Sequence, residues 1–175
     1  MQIKNINLNS KSLEELRSIN DEAFPPTERM DVEDMFTFPI RFELLGFYND
    51  ETLLGFALLL INSGTVFLLL LAIDKKLRGN GYGSQALKAI ISKYPEKQVV
   101  LDFEEVTKTA KNYEQRVSRK QFYLRNGFHE TGRFTVLFNE RYEVVCSEEK
   151  LNENSLNEVL TAIHQHTPEF EEKLH

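Results

Sequence analysis

The sequence predicts one mixed α+β domain in which helices flank a central, mostly antiparallel sheet. The chain has 175 residues, the length of a single domain that can bury one core. Apolar runs that are separated by short turns, such as Asn49-Asp50 and 62–64, are typical of antiparallel hairpins. Stretches with apolar residues at helical spacing lie before and after these runs. A hydrophobic content of 41% with 27% charged residues is also that of a globular protein.

Helical segments precede the sheet. The first begins with Ser12 and Glu15 in the spacing of a capping box and ends at a pair of prolines. Thr27 then favours a second, short helix that reaches Met35. The next three runs are rich in apolar residues and are predicted to be the strands of a meander, at 42–48, 52–61 and 65–73.

The second half of the chain alternates helix and strand. A glycine-rich loop leads into a helix at 82–94, which is followed by a strand at 98–103. Because a helix separates this strand from the preceding one, the two strands are predicted to be parallel. A further helix ends at Asn126-Gly127, and a closing hairpin turns near Asn139-Glu140.

A last helix follows the hairpin. It opens with Ser155 and Glu158 in capping-box spacing and carries apolar residues on one face. We assign residues 1–147 to the main domain and residues 148–175 to a C-terminal helical extension that is packed on that domain or appended to it. A helix of this kind also leaves open its use in assembly, as in a homodimer.

The distribution of charge points to a local anion site. With 21 basic and 27 acidic residues the net charge is −6, so binding to nucleic acid through a basic surface is not expected. Four bases and no acid lie between Lys75 and Lys88, and six bases and one acid lie between Lys108 and Arg125. Two basic islands in an acidic chain favour a bound anion over a general steering field.

No sequence pattern indicates a membrane or an oxidising compartment. The N-terminal residues lack the pattern of a signal peptide, and the longest apolar run, at 66–73, is too short to span a bilayer. The single cysteine, Cys146, excludes an internal disulfide bond. The histidines show no metal-ligand spacing, so no metal site is predicted. We expect a cytoplasmic protein.

Glycines alternate with other residues in the loop Arg78–Gly83, and this pattern allows three interpretations. An ordinary turn does not need three glycines, each of which costs backbone entropy. Gly81-x-Gly83-x-x-Ala86 matches the dinucleotide-binding fingerprint, with Asp102 about twenty residues later. Seven residues, however, separate the first of these glycines from the end of the strand, and hairpins precede the loop. An NAD(P)-binding oxidoreductase is therefore kept only as the alternative to the interpretation in the next paragraph.

The third interpretation takes the whole segment. The string RGNGYG at 78–83 follows an apolar strand and opens a helix, and FYLRNGF at 122–128 closes a later helix. This order of features, from Leu13 to Cys146, resembles the GNAT superfamily of acyl-CoA-dependent N-acyltransferases. The resemblance implies a GNAT-like fold, acetyl-CoA as co-substrate, and direct transfer of the acetyl group to a primary amine of a small molecule, a polyamine-like compound, a peptide or a protein. A regulatory module that binds acyl-CoA without turnover is the non-enzymatic alternative.

The resemblance also implies roles for individual residues. Tyr123 would protonate the departing thiolate as general acid, and the backbone N–H of Ile73 would polarise the thioester carbonyl. The exposed backbones of Leu71 and Ile73 would pair with the amides of the pantetheine arm of coenzyme A. Loop N–H groups and nearby bases would bind its diphosphate, namely those of Lys76, Arg78, Gly79, Gly81, Gly83 and Ser84.

The sequence defines the general base and the acceptor site less well. The strand at 65–73 carries no carboxylate, so the candidates for the base are Glu28, Asp102, Glu104 and Glu105. Of these we retain Glu104. Glu28 and Asp31 are predicted to contact the acceptor, which favours a cationic amine. Arg116 stands where the family often has an asparagine, so the contacts of that helix with coenzyme A stay undefined.

Overall fold

A computed structural model describes residues 1–26, 29–137, 139–166 and 170–173. These residues form eight strands and four α-helices. In chain order the elements are β1 (Gln2–Asn5), α1 (Leu13–Ala23), β2 (Phe42–Asn49), β3 (Thr52–Ile61), β4 (Thr65–Ile73), α2 (Tyr82–Lys93), β5 (Gln98–Glu104), α3 (Tyr113–Arg125), β6 (His129–Leu137), β7 (Glu140–Cys146), α4 (Glu153–His166) and β8 (Phe170–Lys173).

The strands form one sheet in the order β1-β2-β3-β4-β5-β7-β6-β8. Strands β4 and β5 are parallel, and the other described neighbours are antiparallel. The predicted α+β class, the meander, the parallel pair and the closing hairpin are therefore confirmed. The two edge strands, β1 and β8, were not predicted, because four-residue segments such as QIKN carry too little apolar alternation to be recognised.

Neither predicted capping box forms at the helices where it was expected. The hydroxyl of Ser12 makes no cap to α1 and instead lies 2.6 Å from the hydroxyl of Tyr48. Helix α4 begins two residues earlier than predicted, and the Asn152 side chain accepts the N–H of Ser155 at 3.2 Å. The Ser155 hydroxyl is buried against Thr65 and accepts a hydrogen bond of 2.8 Å from it. In both cases a partner from the sheet competes with the local cap.

The predicted second helix is reduced to a short 3₁₀ turn at Asp34–Phe36. Its predicted cap, Thr27, lies outside the described residues. The turn holds Met35 fully buried in the core, and Val32 beside it is also buried. The segment is therefore a loop that is attached to the core by these two buried side chains.

The core lies on both faces of the sheet. Helices α1 and α4 pack on one face, where α4 contributes Leu156, Val159 and Leu160 to the same cluster as Leu16 of α1. Helices α2 and α3 cover the other face, with Leu87 among the fully buried side chains. Helix α4 is thus packed on the domain as part of its core, while the boundary at residue 147 stays a prediction. None of the helices in the described ranges combines the length and apolar character that a bilayer span requires.

The parallel pair opens into a gap, which positions the site. Strand β4 pairs with β5 from Thr65 to Phe67, and no pairing follows beyond Phe67 in the described register. The β3–β4 register shifts between Leu58 and Leu59, so β4 bulges just where it leaves β5. Strand β5 meanwhile follows β7 as far as Glu104. The C-terminal halves of β4 and β5 therefore diverge.

Candidate active site

A cavity of about 940 Å³ occupies the gap between β4 and β5 and reaches both faces of the sheet. One end is bounded by the glycine loop and α3, and the other by the segment after α1 and the end of α4. The lining residues that the chemistry uses are Leu71, Ile73, Arg78, Gly79, Gly81, Gly83, Ser84, Asp102, Glu104, Tyr123, Asp31 and Asp34. The sequence-predicted residues are therefore brought together, apart from Lys76, which does not line the cavity, and Glu28, which lies outside the described residues.

Strand β4 directs backbone N–H groups that do not pair with β3 toward the gap. Asp74 N–H donates to the carbonyl of Leu54 on β3 at 2.9 Å, and backbone groups alternate in direction along an antiparallel strand. Ala72, two residues earlier, is accordingly directed at β3, whereas Leu71 and Ile73 direct their N–H and C=O groups away from it. The carbonyl of Ile73 accepts a hydrogen bond of 3.1 Å from Arg78 Nε. The N–H groups of Leu71 and Ile73 thus face the cavity.

The glycine loop begins with a 3₁₀ turn at Lys75–Leu77 and leads into the N-terminus of α2. Gly79 and Gly81 have φ values of 83° and 79°, a left-handed conformation that glycine adopts without a steric penalty. A Cβ at either position would meet no atom within 4 Å apart from the adjacent residues of the loop, so there is open space directly beside both backbones. The first N–H groups of a helix lack internal acceptors, and the first turn of α2 lines the cavity with Gly83 and Ser84. The arrangement can hold an anion.

Gly83 serves packing as well. A Cβ there would lie 3.1 Å from Cζ of Phe122, so the absence of a side chain lets α3 approach the first turn of α2. The two helices thereby form one wall of the cavity, next to the open space in front of Gly81.

The two basic islands differ in how many of their side chains line the cavity and how many form ion pairs. In the first, Arg78 lines the cavity, while Lys76 is exposed outside it. In the second, Arg116 is paired with Glu140 at 3.3 Å and does not line the cavity, and Lys120 is paired with Glu143 at 2.8 Å. Three of the six bases of the second island, Arg116, Arg119 and Lys120, are therefore paired with acids of the protein. Its expected role as an anion site is reduced to the residues that line the cavity.

Tyr123 lies in the cavity wall with its ring held by aromatic neighbours. The ring stacks on Phe103 at a centroid distance of 5.5 Å and meets the edge of Phe128 at 5.9 Å. Burial raises the pKa of Tyr123 to about 12, Arg119 lowers it in part, and Asp102 raises it further. The phenol is therefore protonated at neutral pH. A fixed, protonated hydroxyl can donate a proton to a developing anion.

Two carboxylates reach the cavity from β5, and their surroundings differ. Glu104 is buried, forms an ion pair with Arg119, and accepts a hydrogen bond of 3.2 Å from Asn112 Nδ2. Asp102 has no cationic partner in the described part of the chain and accepts a hydrogen bond of 2.8 Å from Thr135 Oγ1. Burial raises the pKa of Asp102 to about 6, against which the hydrogen bond from Thr135 acts.

This difference favours Asp102 over the predicted Glu104 as a base. An ion pair with a guanidinium stabilises the charged carboxylate and makes it a poor proton acceptor, whereas a carboxyl with a pKa near 6 can accept a proton at neutral pH. The third candidate, Glu105, pairs with Arg141 at 3.4 Å and does not line the cavity. Sequence position could not separate these acids, because their partners come from β6, β7 and α3.

The opposite end of the cavity combines acidic and apolar groups. Arg29 is tied to Asp21 at 3.1 Å, while Asp31 and Asp34 are exposed and have no cationic partner among the described residues. Helix α4 adds two lining residues, Ile163 and His166, that were not predicted as site residues. The ring of His166 stacks on Phe38 at 4.0 Å, and its Nε2 lies 2.7 Å from Thr37 Oγ1. Across the described ranges, no three His, Cys, Asp or Glu side chains group as metal ligands would.

Solved structures with the same fold cover nearly the whole chain. An acetyltransferase of the GNAT family from Bacteroides thetaiotaomicron has a TM-score of 0.72 and 18% identity, over 94% of this chain and 97% of that one. A GNAT family acetyltransferase from Elizabethkingia anophelis, solved with acetyl-CoA bound, has a TM-score of 0.60 and 16% identity, over 84% and 97%. Aminoglycoside 6′-N-acetyltransferase from Enterococcus faecium has a TM-score of 0.63 and 13% identity, over 87% and 100%. No curated protein matches the sequence.

The dinucleotide-binding alternative is not supported, because the described sheet is mostly antiparallel and its one parallel pair is β4 and β5. The family model described as the Acetyltransferase (GNAT) family matches residues 12–128, which is about two thirds of the chain. The match includes α1, the glycine loop and Tyr123, and it confirms the resemblance inferred from the two motifs. The chain therefore belongs to the GNAT family of acetyltransferases.

Proposed function

We propose that this acyltransferase moves an acetyl group from acetyl-CoA directly to a primary amine. One observation carries the proposal: a single cavity joins the N-terminus of α2, the free N–H groups of β4, the protonated Tyr123 and the carboxyl of Asp102. An anion site, an extended hydrogen-bonding edge, an acid and a base are the groups that transfer from a coenzyme A thioester to an amine requires.

Acetyl-CoA fits the groups that are present. The open space in front of Gly79 and Gly81, which a Cβ would begin to fill, suits a diphosphate held by backbone N–H groups. Arg78 adds a positive charge beside it. When bound, acetyl-CoA supplies the acetyl group as an activated thioester. We assign the backbone of Leu71 and the carbonyl of Ile73 to the pantetheine amides, and Lys76, exposed outside the cavity, to a peripheral contact.

Asp102, Ile73 and Tyr123 have separate roles in the proposed transfer. The lone pair of the neutral amine forms the new C–N bond, and Asp102 accepts the one proton that the nitrogen loses as this bond forms. The N–H of Ile73 stabilises the negative charge that develops on the acetyl oxygen. Tyr123 donates its phenolic proton to sulfur as the C–S bond breaks, which leaves an amide and a free thiol. A proton returns from Asp102 to Tyr123, directly or through solvent, before the next cycle.

We further propose that α4 completes the acceptor site. Ile163 and His166 lie across the cavity from Tyr123's wall, together with the exposed carboxylates of Asp31 and Asp34. These acids favour an amine that carries a further positive charge. Glu28, which was also predicted to contact the acceptor, lies outside the described residues. A cytoplasmic location is also proposed, since Cys146 is a free buried thiol, and a homodimer stays a prediction.

The experiment is a binding and turnover test. Thermal shift is measured with acetyl-CoA, coenzyme A, NAD and NADP, and release of thiol is then followed with a panel of monoamines, polyamines and peptides. We expect stabilisation by the first two ligands and thiol release that depends on an amine. Binding of acetyl-CoA without turnover of any amine would favour the non-catalytic acyl-CoA module, and saturable binding of NAD alone would refute the proposal.

A further inference from the structure

A buried threonine of the closing hairpin lies against the proposed base. Thr135 on β6 is fully buried, and its hydroxyl lies 2.8 Å from Oδ2 of Asp102 on β5. A charged carboxylate can only accept hydrogen bonds, so the threonine hydroxyl donates this one. No other residue in the described ranges donates a hydrogen bond to the Asp102 side chain. The contact therefore occupies one carboxylate oxygen and leaves the other, Oδ1, to accept a proton.

The contact between the two residues passes over a complete strand. Strand β7 lies between β5 and β6, with Asp102 opposite Val144 and Thr135 opposite Tyr142. Residues directly opposite one another share a face of the sheet, as do residues two positions apart on one strand. All four side chains therefore lie on one face. Because Val144 belongs to the same core cluster as the apolar residues of α1 and α4, this is the face on which those helices pack.

The orientation of the Asp102 carboxyl depends on this contact. Tyr123 packs with the cluster on the opposite face, so the proposed acid and base lie on two sides of the gap between β4 and β5. The carboxyl of an aspartate rotates over a broad range of χ2 unless a neighbour restrains it. The Thr135 hydroxyl is such a restraint, because it is buried and would lose its hydrogen bond if the carboxyl turned away.

The other charged and titratable groups near the base come from several elements. Glu104 on the same strand is paired with Arg119 of α3. The remaining ones that line the cavity are Tyr123 and Arg125 of α3, Tyr142 of β7, His166 of α4, Arg78 of the glycine loop, and Arg29, Asp31 and Asp34 of the segment after α1. Within the described ranges none of them forms an ion pair or a hydrogen bond with Asp102, so the direct polar contact of its carboxyl is the one with Thr135.

We propose that Thr135 is a positioning residue for acetyl transfer, whose hydroxyl holds Asp102 with Oδ1 available to the acceptor amine. The inference rests on the proposed function, since it takes Asp102 as the base. Thr135 does not line the cavity and acts through the carboxyl. A hydrogen bond from a neutral donor also favours the charged form of a carboxyl, so the hydroxyl lowers the pH above which the base is ready to accept a proton.

The kinetic test compares two variants of Thr135 in the full chain. Thr135→Val keeps the branched shape of the side chain and removes the hydroxyl, whereas Thr135→Ser keeps the hydroxyl. In Thr135→Val the acid limb of kcat/KM should move upward by about one pH unit, because the carboxylate loses a hydrogen bond. Above that limb kcat should fall about ten-fold, since the base is no longer held. Thr135→Ser should retain the limb of the wild type.

A second readout and a matched control separate positioning from stability. Titration of Asp102 is followed by NMR of ¹³C-labelled aspartate carboxyls, which needs no turnover, and it should shift in the same direction as the acid limb. Thr131 also lies on β6, and its hydroxyl donates to the Val144 carbonyl at 2.7 Å without lining the cavity. Thr131→Val should lower the free energy of unfolding and leave both the limb and the titration of Asp102 in place.

The outcomes distinguish this inference from the proposed function. An unchanged acid limb and kcat in Thr135→Val, or an equal effect of Thr131→Val, would overturn the inference alone and make Thr135 a packing residue. A shifted NMR titration in Thr135→Val with no change in the kinetics would show that Asp102 is not the base, which refutes the proposed role of Asp102 as well. If the valine variant does not fold, Thr135→Ala removes the hydroxyl without adding apolar bulk and gives the same comparison.

Discussion

Replacement of Asp102 by asparagine tests the proposed base most directly. The amide keeps the size of the side chain and can still accept a hydrogen bond from Thr135, but it cannot take a proton from an amine. The loss of a positioned general base costs roughly 10²–10⁴ in kcat. In the wild type, kcat/KM should fall below about pH 6 as Asp102 becomes protonated, and this acid limb should vanish in the variant.

The same substitution should stabilise the fold. Burial raises the pKa of Asp102 from its ordinary value of 3.8 to about 6. Above pH 6 the carboxyl is charged in both the folded and the unfolded chain, and the folded chain carries the full penalty, about 3 kcal/mol for such a difference in pKa. Below pH 4 the group is neutral in both states and the penalty is absent. The gain in the free energy of unfolding for Asp102→Asn should therefore grow between pH 4 and pH 6.

Two measurements check this reasoning. Initial rates of thiol release are followed across pH 5 to 9 with a responsive amine, and unfolding by urea is measured over a pH range from 3.5 to 7.5. Glu104→Gln serves as the control, because it breaks the ion pair with Arg119 and should lower stability while retaining most of kcat. Wild-type kcat and an unchanged acid limb in Asp102→Asn would refute the assignment, and a large loss of kcat confined to Glu104→Gln would transfer it to Glu104.

Three further predictions concern the rest of the cavity. Arg78→Ala should weaken binding of coenzyme A by about ten-fold and of pantetheine hardly at all in calorimetry, since the lost contact is to phosphate; equal effects on both would contradict the assignment. Tyr123→Phe should lower kcat by roughly 10²–10⁴ with little change in acetyl-CoA affinity. Because the pKa of Tyr123 is about 12, the wild type should lose no activity through ionisation of this tyrosine below about pH 10. A variant with unchanged kcat would make Tyr123 a packing residue. His166→Ala should raise KM for the amine and leave KM for acetyl-CoA unchanged. Gln165→Ala, at the exposed neighbouring position, should change neither KM value. Identical kinetics of the two variants would count against an acceptor role for α4.

Local patterns were enough to predict much of the fold. The meander strands and α2 follow from the period of their apolar residues, which is a property of neighbouring positions. Gly81 was recognised because its left-handed backbone restricts the residue type at that position, whatever the rest of the chain does. Tyr123 was found in the same way, through a short motif that ends at the cap formed by Gly127, whose φ is 89°.

Pairwise contacts between distant segments were not accessible in this way. Asp102 and Glu104 point to the same cavity from one strand and have the same chemistry in the sequence. Thr135 of β6 and Arg119 of α3 distinguish them, one by a neutral hydrogen bond and the other by an ion pair. The pKa of a carboxyl depends on what surrounds it in space, so no spacing along the chain could have ranked the two.

The sequence by itself therefore determined the order of most elements, the glycine-rich loop and the place of Tyr123 near the end of α3, because each rests on backbone conformation or on periodicity within a few residues. Only the tertiary structure decided which of the two carboxyls on β5 lacks a cationic partner among the described residues, and that α4 brings His166 to the cavity. These outcomes depend on how burial and charge are divided among segments that are far apart in the chain. That division exists only once β4 and β5 have diverged and the helices have packed on both faces of the sheet.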